Sequence, residues 1–214
     1  MSILLASVLP SLFFPVPARG GTANDAPRPR LAVPHAAMPP RMTADPSDPA
    51  WDSAARITAF APCLQEGKPN LPPPGTETEV RTAWDEGALY VRFICRGAPP
   101  YTPEKGRNAP LYKGDAVEIF LDPVGDAREW IELQGNANGD LFQQLFLCTG
   151  ETAPTPYLRL REDVIRREVW AFPGWDIPGL RTAASRREIP GVAGAPARVE
   201  WIVDFLLPAG PLLK

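Results

Sequence analysis

The chain has 214 residues, of which 44% are hydrophobic, and this length and apolar content predict one globular domain with extensions. Its charged residues make up 22% and leave a formal net charge of −3, so the charge gives no reason to expect nucleic acid as a partner. The 28 prolines and 17 glycines form about a fifth of the chain, which favours many short strands joined by loops over long helices.

The first 18 residues are predicted to be a signal peptide. Residues 2–18 are apolar but too short, and too often broken by proline, to form a good membrane span. Val16-Pro17-Ala18 offers a small-residue cleavage site, and the alternative is a wrongly assigned start codon. A signal peptide implies that the protein is secreted or periplasmic in a bacterium, with no membrane contact after cleavage.

Residues 19–44 are predicted to be a disordered linker. They are rich in proline, alanine and arginine and show no apolar period. The only histidine, His35, falls in this segment and is expected to be solvated. The folded domain is therefore predicted to begin near Asp45 and to extend over residues 45–214.

Short strand-like segments recur from Asp45 onward, separated by turn residues. Hairpin turns are predicted at Asp85-Glu86-Gly87 and at Asn138-Gly139, because both residues of the second pair tolerate positive φ. No window shows a sustained 3.6-residue period, so the pattern predicts an all-β fold, either an antiparallel sandwich or a barrel. The predicted strands are Arg56–Ala61, Glu79–Trp84, Leu89–Cys95, Ala116–Asp122, Trp130–Gln134, Leu141–Leu147, Val164–Phe172, Leu180–Ala184 and Arg198–Leu206.

The segment Ala116–Asp122 alternates most cleanly and assigns a face to each side chain. Val117, Ile119 and Leu121 share one face, which must point to the core because all three are aliphatic. Glu118 therefore stands on the opposite face of the sheet.

The three cysteines leave their pairing open. In a secreted protein one pair of Cys63, Cys95 and Cys148 can form a disulfide, and the sequence does not choose among the three pairs. Cys95 and Cys148 lie in apolar strand-like segments, where a role as small buried hydrophobic residues is at least as well supported.

Most catalytic chemistry is excluded by composition. With a single histidine in the predicted linker, no Ser-His-Asp or Cys-His machinery is available, and no zinc, phosphate-loop or EF-hand motif is present, so no metal and no cofactor is predicted. A carboxylate pair, as in glycoside hydrolysis, remains. Glu118 and Asp122 share a face but lie about 13 Å apart, which is too far, and a partner on a neighbouring strand stays open. The candidate carboxylates are Asp115, Glu118, Asp122, Glu129 and Glu132.

The order of several motifs resembles the family 9 carbohydrate-binding modules and their relatives in the DOMON-like superfamily. The most specific segment is Asp115–Asp122, and the next is Trp84-Asp85 followed by Leu89-Tyr90-Val91. The resemblance covers roughly Asp45 to Leu207 and implies a β-sandwich of jelly-roll or immunoglobulin-like type. Such modules bind sugars, often at chain ends, between two aromatic rings and with polar side chains. The other matching segments are Asp45–Trp51, Trp130–Gln134, Asn138-Gly139, Trp175–Leu180 and Val199–Trp201.

The resemblance also assigns site residues. Tyr112 falls where such modules place one stacking ring, although the family's tryptophan is replaced by a smaller tyrosine here, and Glu118 falls on the carboxylate that contacts sugar. Trp175 is the candidate opposing ring. Apart from the resemblance, the polar side chains of Arg107 and Gln134 make them candidate contacts to sugar hydroxyl groups. Some relatives bind calcium, but no calcium site can be assigned in this chain. Packing roles for both rings, and an arginine partner for Glu118, remain open alternatives.

The physical chemistry of sugars points to the same residues. An aromatic ring covers the apolar C–H face of a sugar, while a carboxylate accepts hydrogen bonds from neighbouring hydroxyl groups. We therefore predict a non-catalytic module that binds a mono-, oligo- or polysaccharide and serves polysaccharide degradation or uptake, a carbohydrate catabolic process. The alternatives are a structural or protein-interaction sandwich without a ligand, or a domain with carboxylate catalysis. Because relatives continue beyond the position of Pro208, C-terminal strands are expected to be missing.

Overall fold

The computed structural model describes residues 2–8, 30–60, 64–65, 68–69, 75–123, 129–149, 168–172, 174–190 and 198–212. Within these ranges the chain forms twelve strands and one short helix, α1 (Ala209–Leu212). Short 3₁₀ turns occur at Pro49–Trp51 and Leu111–Lys113. The strands are β1 (Ser2–Val8), β2 (Ala55–Ile57), β3 (Leu64–Gln65), β4 (Lys68–Pro69), β5 (Glu77–Trp84), β6 (Ala88–Gly97), β7 (Ala116–Asp122), β8 (Glu129–Asn136), β9 (Leu141–Thr149), β10 (Glu168–Phe172), β11 (Arg181–Ile189) and β12 (Arg198–Pro208).

Two five-stranded antiparallel sheets make up the fold. Sheet A has the order β1-β7-β8-β9-β10, and sheet B has the order β11-β12-β6-β5-β2, while β3 and β4 form a separate pair. Apolar side chains from both sheets meet in one buried cluster, which places the core between them. The predicted antiparallel β-sandwich is therefore confirmed.

The core shows how closely the two sheets approach one another. Val117, Ile119 and Leu121 are fully buried in it, as their alternation predicts. Opposite them, Gly135 on β8 faces β12 so closely that a Cβ atom there would lie 2.7 Å from Cζ of Phe205. A side chain at position 135 would push the sheets apart, so glycine is required by this close approach.

Both predicted hairpins are confirmed. The Asp85 carboxylate accepts hydrogen bonds from the backbone N–H groups of Gly87 and Ala88, at 2.8 and 2.9 Å, and so closes the turn between β5 and β6. In the turn between β8 and β9 only Gly139 has a positive φ, of 85°. Gly139 therefore adopts the positive φ that was predicted for both residues of this turn, and Asn138 does not.

Part of the predicted linker is packed on the sandwich. The backbone N–H of Ala36 donates to the Trp84 carbonyl at 2.7 Å, and the N–H of Trp84 donates to the Pro34 carbonyl at 3.1 Å. Ala36 and Ala44 are buried, whereas His35 is exposed, as predicted, and contacts Glu86 at 3.1 Å. The folded region thus begins before Asp45, because this segment is held by backbone hydrogen bonds and small alanines, which produce no apolar period. Residues 19–29 lie outside the described residues.

Strand β1 lies within the segment predicted to be a signal peptide. It pairs with β7 along its whole length, with Ala6 opposite Glu118, although residues 9–18 lie outside the described residues. Signal-peptide cleavage stays a prediction. In the part of the chain that the structure describes, no helix is long and apolar enough to span a bilayer.

Cys95 is a free, buried thiol. Burial raises its pKa to about 12, which keeps it protonated and unreactive. Its predicted role as a small buried residue fits this environment, and neither disulfide that would contain Cys95 is formed. Cys63 and the side chain of Cys148 lie outside the described part, so whether these two pair stays open.

Candidate functional site

The candidate site lies on the outer face of sheet A, which is turned away from the core. Glu118 on β7 pairs with Gln134 on β8, and Phe120 pairs with Glu132 in the same ladder. Because alternate residues share a face, Glu118, Gln134 and Glu132 all point outward. Glu118 and Glu132 are therefore diagonal neighbours on adjacent strands, a relation in which long side chains reach one another.

The 3₁₀ turn Leu111–Lys113 places Tyr112 beside this face. Leu111 is only 2% exposed and anchors the turn, while the Tyr112 side chain is exposed. The backbone N–H of Tyr112 donates to Oε1 of Gln134 at 3.1 Å. The predicted stacking ring and one predicted polar contact are thus joined directly.

The loop before β7 fixes where this turn sits. Asp115 donates its backbone N–H to the carbonyl of Tyr101 at 2.7 Å, and its Oδ2 accepts from the N–H of Tyr101 at the same distance. Gly114 lies against this loop so closely that a Cβ would come within 2.5 Å of the Tyr101 carbonyl oxygen. A larger residue at position 114 would displace the loop that positions Tyr112.

Gln134 connects the turn to the acidic part of the site. It is fully buried, and its Nε2 donates to Oε1 of Glu132 at 2.5 Å while its Oε1 is held by Tyr112. A continuous chain of hydrogen bonds therefore runs from the Tyr112 backbone to the Glu132 carboxyl group. Such a chain fixes the side chains of the site relative to the exposed ring.

Glu118 stands on the predicted face but is far less accessible than expected. It is only 3% exposed, because alternation predicts the face on which a side chain stands and does not predict what covers that face. Burial, together with the negative charge of Glu132, raises the pKa of Glu118 to about 8. Burial also raises the pKa of Glu132, against the opposing effect of the hydrogen bond from Gln134.

The arginine partner considered for Glu118 is not found among the described residues. Arg92 instead makes a buried ion pair with Asp204 on the outer face of sheet B, with distances of 2.7 and 2.9 Å. Arg107 donates to Oδ1 of Asp176 at 2.8 Å, in an ion pair that is about half exposed on both sides. Glu118 is thus a buried acid next to another acid.

Trp175 and Arg107 belong to a different group of contacts. Trp175 packs in part against the core cluster, on the side of β7 opposite to Glu118. Its neighbour Asp176 accepts from Nε2 of Gln143 at 2.7 Å as well as from Arg107. Among the described residues no hydrogen bond or ring contact joins this group to Tyr112. The structure therefore brings Tyr112, Glu118 and Gln134 together and does not join Trp175 or Arg107 to them.

Residues 45–134 match the family model described as "Carbohydrate family 9 binding domain-like". The match confirms the resemblance to the family 9 carbohydrate-binding domains. The matched segment runs from before β2 into β8 and contains Tyr112, Glu118 and Gln134. Comparisons with curated proteins and with solved structures found no match.

Glu132 is the residue of the family 9-like segment that sequence reasoning did not place in the binding site. It was considered only as a catalytic carboxylate. Its position two residues before Gln134 puts both on one face, a signal that alternation alone offers. Its closeness to Glu118 depends on the register between β7 and β8, which no short turn sequence specifies.

Proposed function

We propose that this protein binds a saccharide without cutting it, on the outer face of sheet A around Tyr112, Glu118, Glu132 and Gln134. The observation that carries the proposal is an exposed aromatic ring whose own backbone is hydrogen-bonded to a buried polar group, within the segment that matches a carbohydrate-binding family. The match to that family supports a saccharide as the ligand. The ring and the polar group supply the two kinds of contact that a sugar requires.

The aromatic ring and the polar groups recognise different parts of a sugar. Tyr112 is 44% exposed, and its ring stacks on the apolar C–H face of a sugar. The carboxyl and amide groups behind it exchange hydrogen bonds with the hydroxyl edge. Because Glu118 is nearly buried, its contact with a hydroxyl group requires a local rearrangement of the residues that cover it. We expect affinities of about 4–8 kcal/mol, in the micromolar to millimolar range.

The cellular location of this binding depends on the predicted signal peptide. Cleavage after Ala18 would remove β1 and leave β7 at the edge of sheet A, and the protein would then act as a secreted or periplasmic module in polysaccharide degradation or uptake. Detection of a mature N-terminus at or beyond Arg19 in an exported fraction would support this setting. A cytoplasmic protein that retains Met1 would contradict it.

Affinity electrophoresis on a panel of soluble polysaccharides tests the binding site. We expect at least one polysaccharide to retard the wild-type protein and Tyr112→Ala to weaken this retardation by roughly 5- to 30-fold, because about 1–2 kcal/mol of stacking is lost. Tyr112→Phe is the matched control and keeps most of the affinity, since it keeps the ring. Equal retardation of the wild type and Tyr112→Ala would contradict the site.

A second candidate function, glycoside hydrolysis, is favoured by one observation. The partner of Glu118 is Glu132, a diagonal neighbour on the adjacent strand, and long side chains in this relation reach one another. Inverting glycosidases also use a pair of carboxyl groups, of which the acid has a raised pKa. Release of reducing sugar that is lost in Glu132→Gln would establish this function. Retardation without any release supports binding alone.

A further inference from the structure

We propose that Glu118 and Glu132 share a single proton near neutral pH, and that this makes the site selective for uncharged saccharides over uronates. The proposal rests on the saccharide site described above and adds Glu132 and the class of ligand to it. It depends on the geometry of the two carboxyl groups, on the groups that face them, and on the position of Gln134.

Glu118 and Glu132 are neighbours on the outer face of sheet A, and Glu118 has almost no exposure to solvent. They are diagonal neighbours across the β7–β8 ladder, and only 3% of Glu118 is exposed. Two carboxylates that share a buried place cannot both ionise without a large electrostatic cost. One of them therefore keeps its proton at a pH where an exposed glutamate has lost it.

Among the described residues of the neighbouring elements, no cation offsets a second negative charge. β1, which flanks β7, carries no ionisable side chain in Ser2–Val8, and the ionisable residues of β8 are Glu129 and Glu132. The remaining ionisable residues of β7 and of the turn before it are acidic or already paired. They are Asp122, Asp115, which accepts from the Tyr101 N–H, and Lys113, which pairs with Glu104 at 3.7 Å.

Gln134 decides which of the two acids holds the proton. Its Nε2 donates to Glu132, and a donated hydrogen bond stabilises the ionised form. Its Oε1 is occupied by the Tyr112 N–H, so the amide cannot turn its acceptor toward Glu132 without losing that bond. Glu132 is therefore the carboxylate and Glu118 the carboxylic acid, in agreement with the raised pKa of Glu118, about 8.

This protonation pattern matches a hydroxyl group and rejects an anion. A protonated Glu118 offers one O–H donor and one carbonyl acceptor, and Glu132 offers acceptors only. A sugar hydroxyl both donates and accepts, so it can bond to both groups. A uronate carboxylate would bring another negative charge next to Glu132 in a place with little solvent, and this is unfavourable.

Infrared spectroscopy tests the shared proton without any sugar. We expect the wild-type protein at neutral pH to show the C=O stretch of a protonated carboxyl group, which fades as the pH rises through about 8. Glu118→Gln removes this band, Glu132→Gln moves its titration to lower pH, and the exposed Glu129→Gln leaves it unchanged. The absence of a band in the wild type, or an unshifted titration in Glu132→Gln, would overturn the proposal.

Affinity electrophoresis then tests selectivity, with soluble β-glucan, galactomannan and galactan, each beside its C6-oxidised uronate form. Among the neutral forms that retard the wild type, we expect retardation to be at least about tenfold stronger than by the uronate form. Equal or stronger binding of the uronate form would overturn the selectivity. If no neutral form retards the wild type, the saccharide site itself fails, while the infrared result still decides whether the proton is shared.

Discussion

Glu118 links the chemistry of the site to the stability of the protein. Its folded-state pKa of about 8 lies above the ordinary value of 4.5, so the folded protein holds this proton more tightly than the unfolded chain does. The stabilising contribution of the proton is fully present below about pH 4.5 and is lost as the pH rises to about 8. Stability should therefore fall with pH across this window.

Urea unfolding of the wild type and of Glu118→Gln tests this linkage. Between about pH 5 and pH 8 the free energy of unfolding of the wild type should decrease by up to about 1.4 kcal/mol per pH unit from this group. Glu118→Gln should be flatter over the same range, because its neutral amide binds no proton. Parallel pH profiles for the two proteins would argue against a raised pKa at Glu118.

The alternation of side chains along a strand predicts some properties of the individual site residues and not others. It correctly predicts the face on which Glu118 stands, because side chains in a strand alternate strictly. It does not predict that this side chain is buried, nor that Glu132 lies beside it, since both depend on how neighbouring strands pair. Tyr112 is exposed, and its bond to Gln134 depends on a turn that residue patterns do not specify.

At the scale of elements, a buried ion pair joins β6 to β12. Arg92 is bonded to Asp204 through two nitrogens, stacks on Trp51 with Cζ 4.6 Å from the ring centroid, and donates to the carbonyl of Asp45 at 2.9 Å. The pair therefore ties sheet B to the segment that covers its outer face. The exposed Arg107–Asp176 pair provides a natural comparison.

Arg92→Met should destabilise the protein by about 3–5 kcal/mol, because Asp204 keeps a buried charge without its partner. Arg107→Ala, which breaks the half-exposed pair, should change the free energy of unfolding by less than about 1 kcal/mol. Both values follow from urea unfolding curves at neutral pH. A similar loss in the two variants would mean that burial does not govern the strength of these ion pairs.

Strands were predictable where a segment of alternating hydrophobic residues is flanked by clear turn residues. The bounds of β7 coincide with the prediction, and β5, β6, β8, β9 and β12 extend it by a few residues. β11 is longer than predicted, and β3 and β4 were not predicted. Two-residue strands carry too few alternating positions to be recognised, and the pairing of β1 with β7 joins segments more than a hundred residues apart.

At the scale of the whole molecule, the N-terminal segment forms part of the folded unit. The N–H of Ala44 donates to Oδ2 of Asp204 at 2.9 Å, and Ser185 donates its hydroxyl to the Ala44 carbonyl at 2.5 Å. These bonds place residues around Ala44 over sheet B, where Ile94 and Ile202 are buried with them. Removing the segment exposes both apolar side chains and a buried ion pair.

A chain that starts at residue 45 should therefore be less stable than one that starts at residue 30. We expect a loss of at least about 2 kcal/mol, because several hydrogen bonds and apolar contacts disappear together. Thermal and urea unfolding of the two truncated chains provide the comparison. Equal stability would show that residues 30–44 contribute nothing to the fold.

The overall architecture was more predictable than the site. Spaced strands and the family resemblance led to the sandwich, while the outer-face site requires three elements, β7, β8 and the Leu111–Lys113 turn, to meet at fixed distances. Trp175 was assigned to the site by the family resemblance, and its packing against the core follows from tertiary contacts that the sequence does not display. Positions that depend on such long-range contacts are the ones that sequence patterns leave open.

The most direct test of the saccharide site is a heteronuclear NMR titration with an oligosaccharide of the polysaccharide that most strongly retards the protein. We expect the largest shifts at the Tyr112 amide and at the side-chain amide of Gln134, which share one hydrogen bond. Shifts confined to the opposite sheet, around Arg187 and Glu200, or no shifts at all, would contradict a saccharide site on the outer face of sheet A.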